Sequence, residues 1–395
     1  MKIRYLAAAL ALAAPLFAGP VATAQEQSLA ALLENTRKEF GLPALAAAVA
    51  KNGRIVAAGA VGTRMLGRNI KVTLDDRFHI GSDTKAMTAT LAGMLVEEGK
   101  LRWDSTIGEL LGADLPGIHP KFAAITLEQL LSHTSGIPTD TKEIYELYIS
   151  GDAYEETLPQ ARLRILRTFG KHEPVVKADA PFQYSNLGYM AVGAMIEKAA
   201  GVSWDELITR RVFEPLGLKT AGLGPQATMG RIDAAVGHDV DAQGKVTPRP
   251  WGPGADVPAV MGPAGIAHLS IRDFVRWGAW NASQGKRGPA LVKADTLKRL
   301  HRERVTMTID NPKPGTPKSG GYALGWGIVA YAWTGNRPVL THNGSNSMNL
   351  ATILIDPQSD TAIVVATNFP GEKADQALQT VARSLYARYA QTTAR

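Results

Sequence analysis

Strand-like and helix-like patterns are segregated along this chain, and that segregation limits what it can fold into. Near the N-terminal end, Leu45 to Lys51 and Arg54 to Val61 are apolar runs separated by Asn52-Gly53. Asn-Gly between two such runs is the strongest short hairpin signal, because both turn positions need positive φ. In the last quarter, Tyr322 to Tyr331, Val339 to His342, Asn349 to Asp356 and Thr361 to Asn368 read as strands divided by turn residues. Between the two sets, from about 104 to 235, the chain reads as helix and loop. Thr126 is a candidate cap for a short helix, Leu187 to Ala200 is a strongly apolar helix ended by Gly201, and Ser203 caps Trp204 to Val212. Residues 244–266 are dense in Pro and Gly and read as a long loop. Segments 27–40 and 373–390 read as helices at the two ends. The expected class is therefore α+β: one antiparallel sheet built from both chain ends, flanked by helices, with an inserted, mainly helical lobe. The sheet lobe would take about 25–100 and 266–395, and the helical lobe about 101–265. No period of 20 to 50 residues stands out, which argues against a repeat array.

The first 24 residues are expected to leave before folding matters. Lys2 and Arg4 form a positive start, Leu6 to Phe17 an apolar run, and Ala22-Thr23-Ala24 a small-residue cleavage site before Gln25. The run is too short to span a bilayer, which takes about 20 apolar residues. The expectation is a signal peptide over 1–24, a single domain over 25–395, and a periplasmic or secreted product with no stable membrane insertion after cleavage. The 395 residues include no cysteine. Disulfides, thiolate metal sites and cysteine nucleophiles are thereby excluded. The formal charge of +7 is spread along the chain. No basic stripe interleaved with aromatics appears, so a nucleic-acid partner is not expected.

Three short patterns carry chemistry. The first is Ser82-Asp83-Thr84-Lys85, where a short strand, Arg77 to Ile80, gives way to a helical pattern from Asp83 to Glu98. Residues three apart share a helix face, so the Lys85 amine can reach the Ser82 hydroxyl. A serine hydroxyl needs such a neighbour to become a nucleophile, and a helix start offers free backbone N–H groups beside the reacting oxygen. The second is Tyr184-Ser185-Asn186, on a loop that opens the apolar helix. A tyrosine held near a lysine can move protons, and an asparagine amide can both donate to and accept from a substrate amide. The third is His342-Asn343-Gly344 at the end of a strand, where glycine lets a substrate backbone lie close.

Competing patterns are weaker. Ser283-Gln284-Gly285-Lys286 repeats the first motif, yet it follows a helix and precedes no apolar one, and it reads as a surface turn. Lys318-Ser319-Gly320 competes with the third motif but reads as preceding a strand rather than lying on one. His79, His133, His238 and His268 read as structural or surface residues. There is no Gly-x-Ser-x-Gly elbow, no phosphate loop, and no complete calcium loop at Asp239 to Pro250. No metal or other cofactor is expected.

The order and context of the three motifs resemble the class C β-lactamase-like serine hydrolases, which include DD-peptidases and several esterases. Phe78 to Lys85, Leu130 to Ile137, Tyr184 to Tyr189, Pro263-Ala264-Gly265, Leu324-Gly325-Trp326 and His342 to Asn368 carry the likeness, which covers nearly all of the chain after residue 24. The resemblance implies a β-lactamase/transpeptidase-like fold and an acyl-enzyme on Ser82. It implies that Lys85 is the proton partner of Ser82 and that Tyr184 is general base and then acid to the leaving group, and it leaves open which of the two takes the first proton. Asn186, His342, Asn343 and Gly344 would hold the substrate, and the backbone N–H groups of Ser82 and Ser345 would form the oxyanion hole. The third motif departs from the Lys-Thr-Gly of strict β-lactamases, which implies weaker recognition of an anionic carboxylate. The expected substrate is a small ester, a D-amino peptide or a β-lactam. A cell-wall or β-lactam sensor that acylates without turnover is the alternative. A Ser82–His342 pair with an unidentified acid is a further arrangement to weigh. Loops 138–180 and 246–265 are expected to shape the pocket. Sequence leaves the oligomeric state open.

Overall fold

The computed structural model describes residues 26–150, 156–175, 181–252, 254–310, 312 and 314–390. The expected signal peptide lies outside these residues. The main sheet has nine strands. In chain order they are β1 (Gln27–Ser28), β2 (Ala44–Lys51), β3 (Arg54–Gly62), β4 (Val305–Thr308), β5 (Ser319–Tyr322), β6 (Gly327–Ala330), β7 (Pro338–Ser345), β8 (Leu350–Asp356) and β9 (Thr361–Thr367). Their spatial order is β1-β3-β2-β9-β8-β7-β6-β5-β4. All neighbours are antiparallel except β1 and β3. The two chain ends therefore meet at β2 and β9, where Val49 faces Ile363 and Ala47 faces Val365. The hairpin turn has the geometry its sequence requires, with φ of 51° at Asn52 and 76° at Gly53.

Both faces of the sheet are covered, which explains the continuous burial of β2 and β9. On one face Leu45, Val49, Ile363 and Val365 pack with Leu33 of α1 (Ala30–Phe40) and with Leu378, Val381 and Leu385 of the C-terminal helix (Glu372–Tyr389). On the other, Ala46, Ala48, Ala362 and Val364 lie under the helix Ile271–Ala282. Small residues let that helix come close: a Cβ on Gly278 would stand 2.9 Å from the Ala362 methyl. Each strand alternates its side chains between the two cores, as a pleat requires.

The middle of the chain forms the helical part. Its centre is two buried helices, α2 (Thr84–Glu97) and α3 (Asn186–Ala200). They are apolar nearly all round, as expected for helices enclosed on every side. Thr126 caps Leu127–Leu131 and Ser185 caps α3, and Gly201 closes α3 in the left-handed conformation. The helix after Ser203 runs Trp204–Ile208 and continues as a π-helical turn, Thr209–Phe213.

Four local expectations need correction. The run 322–331 is two strands, because Gly325 turns the chain at φ +83° between them. The segment Arg77–His79 pairs with Ala267–Ser270 in a separate three-stranded sheet. Residues 244–266 include a strand, Val246–Arg249, paired with Gly237–Val240, and two short helical turns, Ala259–Met261 and Gly262–Gly265. Lys318-Ser319-Gly320 does reach a strand, β5, but β6 separates that strand from the one bearing His342.

Candidate active site

Ser82 stands at a junction built from tight backbone contacts. The short strand ending at His79 runs into a 3-10 turn, Gly81–Asp83, which continues as α2. Gly81 has a φ of +48°, and a Cβ there would lie 2.3 Å from the Ser345 nitrogen. Only glycine fits both demands. Thr84 locks the turn by donating its hydroxyl to the Gly81 carbonyl (2.7 Å). Every residue from Phe78 to Leu95 is buried except Ser82. A serine left accessible within an otherwise buried segment of 18 residues is a site where a solute can meet a hydroxyl.

Lys85 lies in the first turn of α2, three residues after Ser82, and is fully buried. Its Nζ donates to three oxygens: Ser82 Oγ at 3.0 Å, Asn186 Oδ1 at 2.7 Å and the Ala264 carbonyl at 2.7 Å. Burial is the main cause that pulls its pKa down to about 7, against the opposing charges of Asp140 and Asp83. The neutral amine is thus within reach at neutral pH. A neutral Lys85 keeps two N–H bonds for Asn186 and Ala264 and turns its lone pair to the Ser82 hydroxyl.

Tyr184 comes from the loop before α3, and its ring lies 4.7 Å from Lys85 Nζ. Burial pushes its phenol upward, and the neighbouring Ser82 hydroxyl acts in the opposite sense. The loop is held by His133. The His133 carbonyl accepts from Gln183 N–H (2.7 Å), its Nδ1 accepts from Ser185 N–H (3.1 Å), and its ring packs at a tilt against that of Tyr184, centroids 4.3 Å apart. Thr139 adds a hydrogen bond to the Tyr184 carbonyl (2.7 Å). His133 remains neutral, its pKa driven well below normal by burial.

The third motif lies on β7 beside the nucleophile turn. A Cβ on Gly344 would sit 1.7 Å from the Ile80 carbonyl oxygen and 2.8 Å from the Ser82 nitrogen. His342 is buried, and its hydrogen bonds fix its tautomer. Nδ1–H donates to the Asn343 carbonyl (2.9 Å), and Nε2 accepts from the Tyr322 hydroxyl (3.1 Å). Burial, with Lys85 nearby, lowers its pKa to about 3, so it carries no charge at neutral pH. Neither ring nitrogen is bonded to Ser82, which leaves the Ser82–His342 arrangement without a geometric basis. Asn343 is exposed, and its Oδ1 accepts from Thr352 (2.7 Å).

Several residues at this site escaped sequence reasoning. Asp140 Oδ2 accepts from Asn186 Nδ2 at 2.7 Å, and its Oδ1 accepts from the Tyr148 hydroxyl at 2.9 Å. The acid thereby turns the Asn186 amide so that its oxygen faces Lys85. Asp256 bridges the two strips of backbone around Ser82. One oxygen contacts His79 Nε2 (3.1 Å), whose Nδ1 accepts from Gly81 N–H (3.0 Å). The other accepts from Asn346 Nδ2 (3.0 Å), next to Ser345. Asp83 is buried without a hydrogen-bond partner among the described residues, its Oδ1 3.7 Å from His342 Nδ1. Burial pushes its carboxyl well above the usual range. Among the described residues no cluster of His, Cys, Asp or Glu could hold a metal.

Residues 29–387 match the Beta-lactamase family. Penicillin-binding protein 4 of Amycolatopsis lactamdurans is 27% identical over 84% of this chain and 82% of its own length. Protein flp of Staphylococcus aureus is 24% identical over 88% of this chain, which spans only 64% of that protein. Among solved structures, the octameric penicillin-binding protein homologue from Pyrococcus abyssi aligns with a TM-score of 0.72 and 22% identity, covering 90% of this chain and 76% of that one. The D-amino acid amidase from Ochrobactrum anthropi SV3 aligns with a TM-score of 0.68 and 20% identity, covering 90% and 98%. The β-lactamase/transpeptidase-like fold expected from the sequence is thus the observed one.

Proposed function

This chain belongs to the Beta-lactamase family, and on that premise we propose that it is an exported serine hydrolase that cleaves an ester or amide through an acyl-enzyme on Ser82. The observation that carries the reading is the contact between accessible Ser82 Oγ and buried Lys85 Nζ, whose other two partners are both fixed acceptors. Neutral Lys85 takes the Ser82 proton as Oγ attacks the substrate carbonyl carbon. The developing oxyanion is met by the backbone N–H groups of Ser82 and Ser345, whose nitrogens lie at the close contact between Gly81 and Gly344. Collapse of the tetrahedral adduct breaks the bond to the leaving group. Tyr184 gives that group its proton and recovers one from Lys85. A water then attacks the acyl carbon by the same route in reverse, releasing the acid and restoring Ser82. Burial holds the Tyr184 phenol protonated, which fits it to donate first and leaves Lys85 as the resting base.

Asn186, His342, Asn343 and Gly344 would border the substrate. The proposed product of export is one catalytic domain over 25–395, periplasmic or secreted, acting on a small-molecule or peptide substrate. The test is hydrolysis of a short-chain nitrophenyl ester and a chromogenic cephalosporin by wild type and Ser82→Ala. Ester turnover that disappears in the variant is the expected result. Labelling by the cephalosporin with no product release, together with no ester turnover, would replace the hydrolase by a binding or sensing protein.

A further inference from the structure

The helix Ala294–His301 is anchored on two sides. Its Thr296 and Leu300 lean on α2, 3.0 and 3.7 Å from where a Cβ on Gly93 would stand. At its end His301 Nε2–H donates to Asn281 Oδ1 (3.0 Å) of the helix Ile271–Ala282, an orientation set by the bond from Asn281 Nδ2 to the Trp277 carbonyl (3.0 Å). Another face of the helix borders a crevice of about 450 Å³ that reaches Ile328 of β6 and Val339 and Leu340 of β7. With Leu297 these side chains make its walls largely apolar, and the crevice shares no residue with the Ser82 site. Its size falls in the range of small-molecule pockets, about 300–1,000 Å³. The charged groups that line it are both cations. Lys286, the lysine of the second Ser-x-x-Lys, comes from the turn after Ile271–Ala282, and Lys298 comes from Ala294–His301. Both are exposed. Among the described residues the Lys286 ammonium has no ion-pair partner, and Lys298 has only a 3.5 Å contact with exposed Asp295. No carboxylate is among the lining residues. Burial lowers the His301 pKa to about 3, so that ring adds no charge.

We propose that this crevice is a binding site for a medium-chain fatty acid anion, with the alkyl chain along Leu297, Ile328, Val339 and Leu340 and the carboxylate at Lys286 and Lys298. The proposal does not depend on the serine hydrolase reading. Two cations and no acid at an apolar crevice are the complement of a single-chain anionic amphiphile. The chain gains by leaving water for the apolar walls. The head meets ammonium groups that are themselves exposed, so neither charge has to be buried to form the contact. The lysine stems add apolar cover over the chain while their charged ends stay in water. A cationic amphiphile of the same length would find the same walls and two like charges beside its head.

The test is equilibrium dialysis of the protein against radiolabelled decanoate below its micelle-forming concentration, with hexanoate, octanoate and decyltrimethylammonium for comparison. Saturable binding of one decanoate per chain is expected, with affinity rising about fourfold for each added methylene. The cationic amphiphile binds about tenfold more weakly, as two exposed charge contacts provide. The double variant Lys286→Glu, Lys298→Glu loses that preference. Ile328→Trp fills the crevice and abolishes decanoate binding. Ala294→Trp, at an exposed position on the same crevice, serves if the first variant does not fold. The proposal is overturned if no saturable decanoate binding is found, or if the filled variants bind decanoate as the wild type does. It is also overturned if the cationic amphiphile binds equally well, or if the protein associates with phosphatidylglycerol vesicles and not with monomeric decanoate.

Discussion

The chain carries Ser-x-x-Lys twice, and the two copies have different surroundings. Ser82 sits where a strand turns into a buried helix, with Lys85 enclosed and hydrogen-bonded to the serine. Ser283 sits where the helix Ile271–Ala282 ends, and the chain there turns through Gln284 at φ 53° and Gly285 at φ 69°. Its hydroxyl donates to the Trp280 carbonyl at 2.9 Å, which closes the helix end, and Lys286 is exposed. An exposed ammonium stays solvated and fully charged near pH 7, so it is no base. A buried one is pushed toward neutrality. The four letters set the reach between the two side chains. Burial of the lysine, absent at the second copy, supplies the chemistry.

Several experiments bear on that contrast. The largest effect belongs to the serines themselves: Ser82→Ala lowers kcat on the nitrophenyl ester by about 10⁴-fold or more, and Ser283→Ala leaves it unchanged. Equal losses from both would erase the distinction. Next come the proton-transfer groups. Lys85→Ala and Tyr184→Phe each cost about 10²-fold, whereas Lys286→Ala costs nothing measurable. Wild-type rates from either of the first pair would remove its assigned role.

The backbone beside Ser82 gives a smaller effect. Asp256→Asn weakens the tie between the Gly81 turn and Asn346, and about a tenfold fall in kcat with little change in KM is expected from such loosening. A change in KM alone would place Asp256 in substrate binding instead. The smallest effect is on pH. Because Lys85 acts when neutral, kcat/KM rises with pH through a limb near 7 and then levels. The Asp140 charge raises that pKa, so Asp140→Asn moves the limb to lower pH. A limb displaced upward would contradict the assignment of Lys85 as the base. His342, with a pKa of about 3, adds no limb between pH 5 and 9.

The sequence was readable where a function depends on neighbours in the chain. The hairpin at Asn52-Gly53, the caps at Thr126 and Ser203, and the one-turn spacing of Ser82 and Lys85 are local, and each is found as expected. The run 322–331 misled because its apolar residues continue through the turn, and only the positive φ of Gly325 divides it. Asp140 and Asp256 were illegible for a different reason. Each lies in a loop without periodicity and acts on groups distant in sequence, 46 residues for Asp140 to Asn186 and 90 for Asp256 to Asn346. Nothing in the identity of an aspartate says which amide it will turn. The neutrality of His342 was partly legible, since an isolated histidine is mostly uncharged at pH 7. Its enclosure with Tyr322 depended on the pairing of β5, β6 and β7, which local pattern does not specify.

The most direct test of the central claim is to locate the covalent adduct. Protein treated with a fluorophosphonate is digested, and the modified peptide is identified by mass spectrometry. A single adduct on the peptide containing Ser82, lost in Ser82→Ala and retained in Ser283→Ala, is the predicted result. An adduct on Ser283 or on another residue, or one that survives Ser82→Ala, would contradict it.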